Sequence, residues 1–207
     1  WNSLVKGDKM MAAIQSKIGT DLIEDLPIKF TAVAADIAAE KEHWFQSGPI
    51  DQAIRASVSL PLFFAPYNVG GVQLIDGGIL NPTPIEPTLG DDTDLTLAVD
   101  LGGPMMKEAI PEPEKAQSPW QQKMDDFLDS MKSSESKPKD QWDMFYIADQ
   151  SFNTMQNAIA RIRMADNPPD HLISVPRNKC GTLEFDRSAE MIEYGYRLAA
   201  EQLSSKI

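Results

Sequence analysis

Asp76, Gly77 and Gly78 are where the residue types and their spacing first suggest chemistry. Val72 to Ile75 reads as a short apolar strand running into them, so Asp76 is expected at the carboxyl end of a strand. A carboxylate there, followed by two glycines, sits on a tight turn that a substrate atom can approach closely. Asp-Gly-Gly is also common in plain turns, so the tripeptide alone leaves both readings open. Nucleophilic hydrolysis would further need a hydroxyl or thiol beside a base. Ser57 and Ser59 are the nearest hydroxyls in sequence, yet neither is flanked by the glycines of a nucleophile elbow. A Ser-His-Asp triad would have to use one of the two histidines. His43 lies beside Trp44 and Phe45 in an expected strand, and His171 follows Pro168-Pro169-Asp170 in a loop, so both read as structural or surface residues. Asp36 and Asp100 end other expected strands; without a glycine turn they read as loop or capping residues.

Around these residues the elements alternate. Asp8 can cap a first helix through Met10, Met11, Ile14 and Ile18, with Gly19 suited to end it. Residues 28–35 have the β-branched and small composition of a strand buried on both faces, and 43–46 could be a shorter partner. Residues 51–59 predict a short helix stopped by Pro61, and residues 95–101 a further buried strand. A long helix is expected from about 142 to 164, with Phe145, Phe152, Met155, Ile159 and Ile162 as its core stripe. Residues 172–176 predict a last strand, and a final helix starts at Asp186. Strands alternating with helices predict an α/β fold, one sheet covered on both faces. Residues 1–207 read as one domain with a polar insertion at about 102–140. Within it, residues 118–132 carry Trp120, Met124, Phe127, Leu128 and Met131 on one helical face. That face would meet a membrane surface peripherally or dock on the protein's own body; its acidic polar side favours the second.

Composition narrows the classes. Of 207 residues, 42% are hydrophobic, enough for a sizeable core, and the net charge of −12 argues against nucleic acid as a partner. A single cysteine excludes an internal disulfide and fits a cytoplasmic location, while one Cys with two His makes a structural zinc site improbable. No apolar run approaches the roughly 20 residues of a membrane-spanning helix.

Three stretches, IRASVSLPLFFAP at 54–66, VQLIDGGILNPTPIEP at 72–87 and LTLAVDL at 95–101, follow one another in an order that resembles the patatin-like phospholipase family. FTAVAADI at 30–37 and the Phe45 to Ile50 approach extend the likeness upstream. The resemblance is strong from about Gly7 to Leu101, weaker from Trp142 to Leu203, and silent on 102–140. It implies a three-layer α/β/α sheet sandwich and hydrolysis of fatty-acyl esters or phospholipids by a serine and an aspartate, with no cofactor. Asp76 would be the base, on the turn made by Gly77 and Gly78. The family's serine stands in Gly-x-Ser-x-Gly, and neither that motif nor a glycine-rich oxyanion loop occurs here. The nucleophile and the first strands are therefore expected upstream of Trp1, the missing N-terminal segment would be a partner of this chain, and the chain alone would be inactive. Apolar edges left by that segment would favour association with it or with a second copy. The alternative is a non-catalytic relative that keeps the fold for lipid binding or regulation; an intact Asp-Gly-Gly favours the enzyme.

Overall fold

In the computed structural model, residues 12, 15–19, 21–61, 64–106, 144–181 and 184–204 are described. The chain packs as two compact units, Trp1–Asp91 with Thr154–Asn167, and Asp92–Asn153 with Pro168–Ile207. The helix expected at 118–132, and Asp8, Met10, Met11 and Ile14 of the first helix, lie outside the described residues; Gln15–Ile18 are helical and Gly19 turns out of the helix at φ 73°.

The first unit is built on a four-stranded antiparallel sheet. Its strands are β1 (Ala32–Asp36), β2 (Lys41–Phe45), β3 (Tyr67–Val69) and β4 (Val72–Asp76), in the order β2-β1-β4-β3. β1 is central, and Ala32 to Ala35 are all buried, as a strand covered on both faces requires. It starts later than expected at 28. Pro27 and Ile28 form a bend, and Ile28 is 79% exposed. β3 and β4 are joined by Gly70-Gly71, both at positive φ (59° and 90°). Two such residues make the turn whose twist matches an antiparallel hairpin. Asn68 Oδ1 closes it by accepting from Gly71 N–H at 3.1 Å.

Helix α1 (Ile50–Ser57) covers this sheet with Ile50, Ala53 and Ala56. The two alanines are fully buried, which lets the helix approach closely and seal a core with Ile23, Ala34, Phe45 and Leu74. Val58 leaves the helical conformation (φ −99°, ψ 10°), three residues ahead of Pro61.

The long helix α2 (Met144–Asp166) contributes Thr154–Asp166 to the first unit. Its expected apolar core stripe is corrected at two positions, since Met155 is 57% exposed and Ile162 71% exposed. Buried Ala160 marks the inward face instead, and Gln156 and Arg163 share it by helical spacing.

In the second unit, β5 (Leu97–Gly103) and β6 (His171–Pro176) pair in parallel. His171 thus opens a strand where the sequence suggested a loop. Gln202 of helix α3 (Ser188–Ser204) accepts from Ser174 N–H at 3.1 Å, and a single helical turn at Phe185–Arg187 precedes that helix. β5 was expected to be buried throughout. It alternates instead, with Ala98 buried and Leu97, Val99 and Leu101 exposed.

Candidate active site

Asp76 is the last residue of β4 and pairs with Ala34 of β1. Its N–H donates to the carbonyl of Ser59 at 3.0 Å, so the stretch after α1 fixes the backbone of the aspartate. Ser59 is fully buried, its hydroxyl donating to the Arg55 carbonyl at 2.8 Å and accepting from Arg55 Nη1 at 2.6 Å. The Arg55 guanidinium in turn lies over the rings of Phe64 and Tyr67, 5.8 and 5.4 Å from their centroids. A hydroxyl so enclosed is a packing element, not a nucleophile.

After Asp76 the chain makes a single 3₁₀ turn, Gly77–Ile79. Asp76 Oδ1 accepts from Gly78 N–H at 2.7 Å, capping that turn; among the described residues Oδ2 carries no hydrogen bond. Burial pushes the Asp76 carboxyl above its ordinary value of 3.8, against the smaller opposing effect of the Gly78 bond.

Neither glycine is at positive φ; the demand here is for space. A Cβ on Gly77 would stand 2.4 Å from the Val33 carbonyl oxygen and 2.6 Å from its carbon. On Gly78 it would stand 3.1 Å from both Asp76 Oδ1 and Gln156 Nε2. Gln156 Nε2 donates to the Gly78 carbonyl at 2.9 Å.

Downstream, the Asn-Pro-Thr-Pro turn is held by charges that sequence reasoning did not single out. Arg163 bridges Glu86 (Nη1, 3.0 Å) and Glu42 of β2 (Nη2, 2.6 Å). Asn81, 2% exposed, donates from Nδ2 to both carboxylates, at 2.9 Å to Glu86 and 3.1 Å to Glu42. Trp44 Nε1 adds a 2.7 Å bond to Glu42. Partial burial raises the Glu86 carboxyl, but the donors Asn81 and Arg163 outweigh it, so the group ends below its ordinary 4.5. The available sequence signal was Gln156 and Arg163 two turns apart, with Ala160 between them.

Replacing Arg163 with Met is expected to cost about 2 kcal/mol in urea unfolding at neutral pH, because two carboxylates are left facing each other while the site stays partly open to water. A group held below its ordinary pKa stabilises the fold above that ordinary value, and the contribution fades as pH falls through the lowered one. The deficit should therefore shrink in acid; a deficit that grows there would contradict the assignment.

The remaining candidates are accounted for locally. Asp36 Oδ1 caps the turn after β1, accepting from Ala38 and Ala39 N–H at 2.9 and 3.0 Å, and Asp100 Oδ1 accepts from Gly102 N–H at 2.9 Å. The His43 ring packs on Phe45 at 4.5 Å between centroids. A shallow depression of about 540 Å³ lies beside Glu86, Ile162, Arg163, Ala165 and Asp166, and Asp76 does not line it. Among the described residues no cluster of three or more His, Cys, Asp or Glu is arranged to hold a metal ion, and no helix is long and apolar enough to cross a membrane.

The chain that carries this strand-end aspartate is similar to known proteins. Residues 1–89 match the family described as patatin-like phospholipase. An uncharacterized NTE family protein of Mycobacterium tuberculosis is 32% identical over 252 residues, covering 98% of this chain and 70% of that protein. The chain belongs to the patatin-like phospholipase family. A second uncharacterized NTE family protein of the same species is 33% identical over 100 residues, 48% of this chain and 17% of the other. The lysophospholipase NTE1 of Pyricularia oryzae is 24% identical over 203 residues, 97% of this chain and 13% of that protein. The mixed helices and sheets of both units are those of an α/β patatin-like fold.

Proposed function

We propose that Asp76 is the general base of a serine acylhydrolase acting on fatty-acyl esters, lysophospholipids among them, and that the serine is supplied by polypeptide outside residues 1–207. The observation that carries this reading is the Asp76 carboxylate itself: pinned through Oδ1 by Gly78, without a hydrogen bond on Oδ2 among the described residues, and held above its ordinary pKa by burial. Family membership and the likeness to the Pyricularia protein, a lysophospholipase by name, support the substrate class.

Oδ2 takes the serine proton as the hydroxyl oxygen attacks the ester carbonyl carbon. The proton then passes to the departing alcohol as the tetrahedral intermediate collapses to an acyl-enzyme. Water enters by the same route, giving its proton to Asp76, and the serine recovers a proton when the fatty acid leaves. A free aspartate is a weak base at neutral pH, and partial removal from water strengthens it. No histidine is required as a relay.

The test is a fluorophosphonate probe applied to the native gene product, followed by peptide mapping. A single labelled serine outside residues 1–207, with labelling blocked by a long-chain lysophospholipid, is the expected result. No labelling in protein that is folded would leave the non-catalytic relative as the better reading. A label on Ser57 or Ser59 would overturn the placement of the nucleophile.

A further inference from the structure

We propose that Gln156 is a positioning residue for the Asp76 carboxylate, acting through Gly78; the inference rests on the reading of Asp76 as the base. Gly78 is gripped at both of its backbone polar groups. Its N–H donates to Asp76 Oδ1 at 2.7 Å, and its carbonyl accepts from Gln156 Nε2 at 2.9 Å. The orientation of the carboxylate depends on where that N–H sits, and the N–H belongs to a three-residue turn that begins with two glycines. Two glycines give the backbone the greatest freedom any pair can, so the turn needs an external hold.

Helix α2 supplies it. A donor on a 23-residue helix is placed more accurately than one on a loop. Its stretch within the first unit, Thr154–Asp166, is fixed there by buried Ala160, one turn beyond Gln156, and by Arg163, two turns beyond, on Glu86 and Glu42. Gln156 and Arg163 thus bond the two ends of the segment from Gly78 to Glu86, the segment that leads away from the base. Immobilising a long glutamine side chain costs rotamer freedom that solvent exposure would have spared, so its bond to one chosen carbonyl calls for a reason. Accurate placement of Oδ2 is that reason.

Ester hydrolysis by the native gene product should be compared with that of Gln156→Leu, Gln156→Lys and Asp76→Asn across the acid limb of the kcat/KM profile. Gln156→Leu is expected to lower kcat about tenfold with KM within about twofold, since misplacing a catalytic group from outside the reacting atoms costs rate more than binding. The acid limb should also move to higher pH, because a carboxylate that loses its well-aligned N–H is less stabilised when ionised. Gln156→Lys returns a donor to the Gly78 carbonyl and also brings a positive charge toward Asp76, so kcat should recover in part while the acid limb moves back to or below the parent position. A residue that only stabilised the fold would lower the melting temperature and the active fraction without moving the limb. An unmoved limb and unchanged kcat in folded Gln156→Leu, alongside an inactive Asp76→Asn, would overturn this inference alone. Full activity in Asp76→Asn would overturn the base and the inference together.

Discussion

In the native gene product, Asp76→Asn is expected to lower hydrolysis of a p-nitrophenyl ester about a thousandfold, in kcat rather than KM. Proton transfer by a positioned base contributes on the order of 10² to 10⁴ in rate. The amide is nearly the same size as the carboxylate, and its oxygen can still accept from Gly78 N–H. What it loses is the ability to take a proton. Folding supplies a second readout with a defined sign. The Asp76 carboxyl is raised from 3.8 by burial, so the folded protein holds its proton more tightly than the unfolded chain. Stability therefore falls as pH climbs from near 3.8 through the raised value, and stays lower above it. Asparagine does not titrate. The difference in unfolding free energy, Asp76→Asn minus parent, should become more positive with rising pH across that window. Retained activity would dismiss the base; a difference independent of pH would dismiss burial as the cause of the shift.

Gly77→Ala is expected to be the most damaging small substitution in the first unit, costing about 3 kcal/mol and lowering the melting temperature by about 10 °C. The added methyl would meet the Val33 carbonyl group, which belongs to the central strand of the sheet. No rotamer change can relieve a clash between a Cβ and a backbone atom, so β1 and β4 must separate where Asp76 pairs with Ala34. Activity should fall with stability. Gly78→Ala is the informative contrast. Its methyl meets the ends of two side chains, Asp76 and Gln156, that can yield by a few tenths of an ångström. We expect a loss of about 1 kcal/mol, with the rate suffering more than the stability. Differential scanning calorimetry beside steady-state kinetics on the two variants checks both statements; equal stability losses would show that the Val33 contact is not what requires glycine at 77.

The sequence placed Asp76 at a strand end on a glycine turn, and β4 ends there. It also set Ser59 aside as a nucleophile, because hydroxyls without flanking glycines make poor elbows. The ordered motifs from Ile54 to Leu101 carried the family. What it missed is tertiary. Apolar periodicity assigned Met155 and Ile162 to the inner face of α2, yet they are exposed while Gln156 and Arg163 bond inward. A hydrophobic pattern reports where apolar residues could be buried; it does not reveal polar residues whose partners lie more than 70 positions away. Antiparallel pairing of β1, β2 and β4 was equally hidden, since strand direction depends on connections rather than composition. Asp-Gly-Gly itself suggested a tight turn open to close approach, but not that its first glycine is required by the room beside Val33.

The polar inner face of α2 also sets how that helix can move. A helix seated on apolar ridges can slide or roll by a fraction of a residue and lose little, because dispersion contacts are non-directional. One fixed by an amide and a guanidinium seven residues apart is indexed: advancing by a single residue shifts it about 1.5 Å and turns it about 100°. Such a step would carry both donors off Gly78 and Glu86 at once. Residues 156–163 of α2 therefore behave less like a lubricated bearing than like a keyed shaft, either seated or disengaged.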